Sequence, residues 1–256
     1  MLLALDIGNT NVKLGVFEGE RLRATWRIAT DPAKLADEYG VVIIELLAVE
    51  GVARSDIDSA VVGSVVPTLT PVFEALCRRF FSVTALRVGA GVKTGLRVLY
   101  EDPREVGPDR IAGAVAALRL HAPPLIVVHT GTATVIEAIS RDGEYLGGAI
   151  APGIGVGAEA LAQRAAMLRS VDLRPPKRAI GTNTTAAMQS GILYGYVELI
   201  EGMIRRFKAE VGDDAFVIGT GGWAQLLSGL TRAFDCLDEN LTLTGLRLIY
   251  EMNEEA

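Results

Sequence analysis

The stretch that decides the architecture is Leu2-Leu3-Ala4-Leu5-Asp6-Ile7-Gly8-Asn9-Thr10-Asn11-Val12-Lys13-Leu14-Gly15-Val16-Phe17. Leu2 to Asp6 reads as a buried strand, because a short continuous apolar run is what a strand covered on both faces looks like. Val12 to Phe17 reads as its hairpin partner, followed by the Glu18-Gly19-Glu20 turn and a third strand, Leu22 to Ala29. The connection between the first two strands is longer and richer in donors than a tight hairpin requires. Gly8 removes a Cβ where a ligand approaches the backbone. Asn9, Thr10 and Asn11 supply donors, and Asp6 supplies an acceptor suited to a hydrated Mg²⁺. Together they form a candidate phosphate loop. Lys13, as a strand residue, is read as outward-facing and is left out of it.

Outward from this stretch, the pattern predicts a helix over 36–50, a strand over 58–64, a helix over 70–80 and a loop-rich region over 88–107. Near Leu125 the opening pattern restarts. Leu125 to Val128 is a buried strand, His129-Thr130-Gly131-Thr132 a polar loop, Thr134 to Ile139 a strand, Arg141-Asp142-Gly143 a turn and Tyr145 to Ile150 a strand. The two copies lie roughly 123 positions apart. A duplication of this kind predicts two α/β lobes facing a cleft, spanning 1–121 and 122–256. Gly131, Thr132, Ala133 and Thr134 then form the second phosphate loop. A long amphipathic helix is predicted over 183–211, capped by Thr182 or Asn183. A strand over 215–219 leads into Thr220-Gly221-Gly222, where Gly221 and Gly222 permit close approach of a nucleotide. Helices over 223–230 and 241–252 complete the chain.

Composition excludes several classes. The 256 residues are 50% hydrophobic and 22% charged, which predicts a packed core rather than disorder. The net charge of −6 argues against a general nucleic-acid binder. Two cysteines, Cys77 and Cys236, make no disulfide framework and read as free thiols in a reducing cytoplasm. No apolar run is long enough to span a membrane, and the N-terminus carries no charged region and cleavage site of a signal peptide. A cytoplasmic protein without nucleic-acid or membrane partners is expected.

Five motifs in order resemble the type III pantothenate kinases over essentially the whole chain: Asp6 to Asn11, Gly107-Pro108-Asp109-Arg110, Gly131 to Thr134, Gly147-Gly148-Ala149-Ile150-Ala151-Pro152-Gly153, and Gly181-Thr182-Asn183-Thr184. The resemblance implies a duplicated ribonuclease H-like (actin-like ATPase) fold with a mixed central sheet and flanking helices in each lobe. It implies ATP-dependent phosphorylation of pantothenate with Mg²⁺, and a homodimer to which the apolar face of the 183–211 helix offers a contact. Asp109 is implied as the base that orients the acceptor hydroxyl. Arg110 is implied as a clamp on the substrate carboxylate, since a guanidinium grips it bidentately. Tyr100, Gly107, Pro108, Gly148 and Thr184 are implied to line the acceptor site.

This chain departs from that pattern at three places. His129 stands where the family carries an Asp implied to help bind a monovalent cation, K⁺ or NH₄⁺. Imidazole is a poor ligand for a cation that prefers oxygens, so His129 either takes over the cation's electrostatic role or the site is lost. Val135 replaces a frequent Thr. Ala165 stands where a Thr touches pantothenate, a loss of about 0.5–1.5 kcal/mol. These departures leave an alternative reading, a catalytically impaired nucleotide-binding regulatory relative. A third reading keeps the fold and changes the acceptor.

Overall fold

Residues 1–254 are described by a computed structural model, and the chain divides into two compact units. The first comprises Met1–Leu96, Glu101–Ala116 and the segment from Asn240; the second comprises Arg97–Tyr100 and Ala117–Glu239.

In the first unit, β1 (Leu2–Ile7), β2 (Asn11–Glu18) and β3 (Arg21–Ala29) form an antiparallel meander. β4 (Ser59–Ser64) joins β1 in parallel and β5 (Leu86–Arg87) joins β4, giving the order β3-β2-β1-β4-β5. β1 is central and covered on both faces, which is why its sequence shows no polar alternation before Asp6. Leu3, Leu5 and Ile7 point to one face, where α1 (Ala36–Val49) brings Tyr39, Ile43 and Leu47 and α2 (Thr70–Leu76) brings Phe73 and Leu76. Leu2 and Ala4 point to the other, where α3 (Pro108–Leu120) and the last helix, α7 (Leu241–Glu254), supply Ala112, Val115, Leu243, Leu246 and Ile249. The first unit thus takes its last helix from within the 122–256 stretch expected to form the second lobe. That helix sits close because glycine faces it. A Cβ on Gly15 would lie 2.9 Å from Leu243, one on Gly63 2.9 Å from Leu246, and one on Gly245 only 1.8 Å from the Ala112 carbonyl oxygen.

The second unit repeats the plan. β6 (Leu125–Thr130), β7 (Ala133–Ile139) and β8 (Tyr145–Pro152) form the meander, and β9 (Phe216–Thr220) and β10 (Cys236–Leu237) add in parallel, in the order β10-β9-β6-β7-β8. Strand for strand this is the arrangement of the first unit, so the duplication expected from sequence is present. Helices α4 (Ile154–Arg164), α5 (Thr184–Val211) and α6 (Ala224–Ser228) flank the sheet. Leu193, Val197, Ile200 and Ile204 of α5 pack on Ile126, Val128 and Ile136. Asn183 caps α5, its side chain accepting from Ala186 N at 2.9 Å. Tyr145 N donates to Arg97 O and Leu99 N to Tyr145 O, both at 2.8 Å, so Arg97–Tyr100 runs along the free edge of β8.

Besides the short unforeseen strands β5 and β10, the elements differ from expectation most at three places. The helix expected over 70–80 stops at Leu76 and widens into a π turn, Cys77–Phe81, closed by Ser82 at φ 60°. α4 is an unforeseen helix, its signal masked by Gly153, Gly155 and Gly157 at its start, since glycine is the poorest non-proline helix former. The strand expected to end at Val128 continues to Thr130, placing His129 within the ladder. Both cysteines are free, and burial pushes the Cys77 thiol up to about 12. Among the described residues no helix is long and apolar enough to cross a membrane.

The α3–α7 crossing predicts the first variant. Gly245→Val drives a side chain into the Ala112 backbone. Overpacking of this kind costs about 1–3 kcal/mol, so thermal unfolding should show Tm lowered by roughly 2–12 °C at about 2–4 °C per kcal/mol. An unchanged Tm would contradict the close approach.

Candidate active site

In the first unit the site begins where β1 ends. Asp6 pairs with Lys13 across β2 and lies beside Gly63 of β4, which offers no side chain to hydrogen-bond it. The following loop is held in shape from within. Gly8 N donates to Asn11 O at 3.0 Å, Thr30 N to Thr10 O at 3.0 Å, and the Thr30 hydroxyl to Gly8 O at 2.7 Å. The side chains of Asn9, Thr10 and Asn11 are left exposed. This is a preorganised loop with donors presented outward.

Asp109 reaches the same region from α3. Pro108 opens the helix, a position where its missing N–H costs nothing, and Ile111 N donates to Gly107 O at 3.0 Å. The Asp109 carboxylate folds back over Gly107. A Cβ there would lie 2.5 Å from Asp109 Oδ1 and 3.3 Å from Val65, so a side chain at this position would displace the Asp109 carboxylate. Asp109 Oδ1 is buried without a hydrogen-bond partner, a costly state for a carboxylate oxygen unless a ligand completes it.

Burial pushes the Asp6 carboxyl up from an ordinary 3.8 to about 7, and the Asp109 charge pushes in the same direction. Lys13 opposes both by lowering it. Lys13 therefore belongs to the site's electrostatics. The register turns its side chain to the same face as Asp6, where sequence reading left it outward-facing. Two acceptor-only carboxylates brought together here fit a divalent cation, whose charge would offset the penalty on an ionised Asp6.

In the second unit the Gly131–Thr134 loop is braced by two other glycine segments. Gly131 N donates to Ala133 O at 3.0 Å and Gly153 N to Thr132 O at 2.9 Å. A Cβ on Gly153 would meet Gly131 O at 2.2 Å, and one on Gly221, at φ +93°, would meet Thr130 O at 2.5 Å. The Thr130 hydroxyl donates to Thr220 O at 2.9 Å, and Trp223 N donates to Thr130 O at 3.2 Å. The structure thus brings Gly131, Thr132, Ala133, Gly221 and Gly222 into one neighbourhood. Thr134 is buried, its hydroxyl bonded to the Tyr196 hydroxyl, which also reaches Pro152 O. His129, half-buried, takes the β6 position that Asp6 takes in β1; its ring lies 2.8 Å from where a Gly221 Cβ would be.

A further cluster gathers at β8. Tyr100 lies over Gly147, whose φ is +126° and whose Cβ would lie 3.2 Å from the ring. Gly148 sits against the Ile136 carbonyl oxygen, 2.1 Å from a would-be Cβ. Thr184 heads α5, exposed, one residue after its cap. Sequence reading missed Glu137, a carboxylate only 3% exposed that accepts from the Tyr145 hydroxyl. Its signal was an acid inside the apolar run Val135-Ile136-Glu137-Ala138-Ile139.

Residues 2–206 match a family model described as type III pantothenate kinase. The chain is 49% identical over 253 residues to a type III pantothenate kinase of Moorella thermoacetica, covering 99% of this chain and 100% of that protein. It is 47% identical over 255 residues to one from Geobacter sulfurreducens, with 100% of both covered. Among solved structures, a Campylobacter jejuni protein assigned to the Baf family of transcriptional activators is similar at TM-score 0.64 and 20% identity, covering 99% and 100% of the two chains. A ROK hexokinase from Thermus thermophilus is similar at TM-score 0.51 and 17% identity, covering 98% and 99%. These structures show the fold, that of actin-like ATPases and sugar kinases.

The shifted carboxyl sets a pH-dependent prediction. The native state holds the Asp6 proton more tightly than the unfolded chain does, so this group makes stability fall as pH rises from about 4 to about 7 and stay level above that. Asp6→Asn removes the penalty. Its Tm relative to the parent should be near zero at about pH 4 and clearly positive at pH 8, both without divalent cation. A difference that is the same at both pH values would contradict the shift.

Proposed function

Because this chain belongs to the type III pantothenate kinase family, we propose that it transfers the γ-phosphoryl group of ATP to the primary hydroxyl of pantothenate. The product is 4'-phosphopantothenate, the first committed intermediate toward coenzyme A. The observation that carries the residue assignment is the buried, unpartnered Oδ1 of Asp109, an acceptor awaiting a donor. A substrate hydroxyl is such a donor, and Asp109 orients it and takes its proton late in an in-line transfer. Arg110 grips the pantothenate carboxylate. Tyr100, Gly107, Pro108, Gly148 and Thr184 line the acceptor.

Asp6, Gly8, Asn9, Thr10 and Asn11 meet the nucleotide phosphates from the first unit. Gly131, Thr132, Ala133, Thr134, Gly221 and Gly222 do so from the second, Thr134 by bracing its loop. Asp6 is the residue that holds Mg²⁺, with Asp109 beside it. When bound, the ion neutralises phosphate charge. Lys13 adds a fixed positive charge to the same face.

The monovalent-cation site does not fit this chain. His129 offers nitrogen where K⁺ needs oxygen, so no step is assigned to K⁺, and turnover is expected to be indifferent to it. A cytoplasmic homodimer is part of the same reading. The regulatory alternative is not favoured, because Asp6, Asp109 and Arg110 are all in place.

ADP release followed with pantothenate and Mg²⁺ tests the assignment. The parent should consume ATP only with pantothenate and equally in K⁺ or choline buffers. Asp109→Asn should lose about 10²–10⁴-fold in kcat, the usual worth of a positioned base. His129→Asp should introduce a K⁺ dependence. Absence of pantothenate-dependent turnover in both parent and His129→Asp would sink the assignment.

Tyr100 makes a separate prediction. Gly147→Ala strains a backbone at φ +126° and pushes the ring away. At about 1–3 kcal/mol of local strain, the KM for pantothenate should rise roughly tenfold with little change in the KM for ATP. Equal effects on both substrates would remove Tyr100 from the acceptor site.

A further inference from the structure

Asp6 and Lys13 are the first two members of a row that continues to the sheet edge. β1 and β2 pair Asp6 with Lys13, and β2 and β3 pair Lys13 with Arg27. Directly paired residues in antiparallel strands project to the same face, so all three side chains stand on the face that also carries Gly15 beneath Leu243. Strands are about 4.8 Å apart, which places the Arg27 backbone about 10 Å from that of Asp6. A flexible arginine covers much of that distance. Arg27 is exposed and makes no ion pair or side-chain hydrogen bond among the described residues. The neighbouring Arg23 is already paired with Glu18, at 3.6 Å.

The braced loop Gly8–Asn11 offers neutral donors, and the whole chain carries a net charge of −6. A Mg²⁺-bound polyphosphate remains an anion and needs cations placed beside it. From this juxtaposition we propose that Arg27 is a further polyphosphate-binding residue, the outermost charge of the Asp6–Lys13–Arg27 row. This rests on the kinase reading for its substrate, a nucleoside triphosphate, but its chemistry is that of a polyphosphate anion. The competing account is that arginines on β3 only guard an edge strand against pairing with other chains. Arg21 provides the contrast: it lies on the same strand, exposed, six residues and about 20 Å from Arg27.

The test measures binding of Mg²⁺-tripolyphosphate by calorimetry at low salt, for the parent, Arg27→Gln, Arg27→Lys and Arg21→Gln, with thermal unfolding to confirm that each is folded. Arg27→Gln is expected to weaken binding about tenfold, close to the lower end of what a hydrogen bond to a charged group is worth. Arg27→Lys should retain most of the affinity and Arg21→Gln all of it. The Arg27→Gln defect should shrink as salt screens the charge. In turnover, Arg27→Gln should raise the KM for ATP and leave kcat near the parent's. Parent-like tripolyphosphate binding by Arg27→Gln, an equal loss in Arg21→Gln, or no binding by the parent would each overturn the proposal. Arg27-dependent binding without pantothenate-dependent turnover would uphold this residue while refuting the pantothenate assignment.

Discussion

Two carboxylates held out of water on one face of the first unit are the constraint around which the rest is arranged. Asp6 ends the central strand β1, and Asp109 folds down from the first turn of α3. Each oxygen there can only accept, and burial, together with the Asp109 charge, holds the Asp6 carboxyl above its ordinary range. The fold supplies little relief: Gly63 brings no side chain to Asp6, and Asp109 Oδ1 has no partner. Lys13 alone is resolved as lowering the Asp6 carboxyl. Such an arrangement is a stability cost that a bound cation or a hydroxyl donor would offset. The stability of the surrounding core, with Leu3, Leu5 and Ile7 fully buried on the opposite side of β1, is what lets that cost persist.

Duplication explains why the second unit has a matching place with opposite chemistry. The strand orders coincide, and Asp6 and His129 each sit one residue before the end of the central strand. The second hairpin is a residue shorter, since Ile7 pairs with Val12 but Thr130 with Thr134. It therefore presents fewer side chains. The first copy offers a carboxylate and a row of cations; the second offers an imidazole and a loop tied down by Gly153, Gly221 and Trp223. One scaffold thus presents different side chains at two matching places.

Much of this was legible in order and spacing. The continuous apolar runs at Leu2 and Leu125 marked central strands, and the repeat of strand, polar loop, strand and turn marked the duplication. The motif residues were legible too, because their chemistry is unusual for hairpin turns. What escaped depended on partners distant in the chain. The face on which Lys13 stands follows from the register of β1 on β2, and a strand read alone does not reveal which of its faces meets a carboxylate. Glu137 was hidden because its reason for being buried, the Tyr145 hydroxyl, sits on the next strand. The helix α4 was hidden by its own glycines.

Those glycines also change how the motifs should be understood. A glycine in a phosphate loop invites the idea that the ligand occupies the space its side chain would take. At Gly107 that space is already filled by the Asp109 carboxylate, at Gly148 by the Ile136 carbonyl, at Gly153 by Gly131 and Thr132, and at Gly221 by Thr130. The missing Cβ in each case lets the protein approach itself. The loops gain rigidity from this, and rigid donors lose little entropy on meeting a phosphate. Gly8 differs only in degree, with the Asn11 carbonyl 3.0 Å from its would-be Cβ. The glycine pattern therefore encodes close packing of the loops against the rest of their own unit, and the charged side chains beside them, Asp6, Lys13, Asp109 and Arg110, stand on strands and a helix.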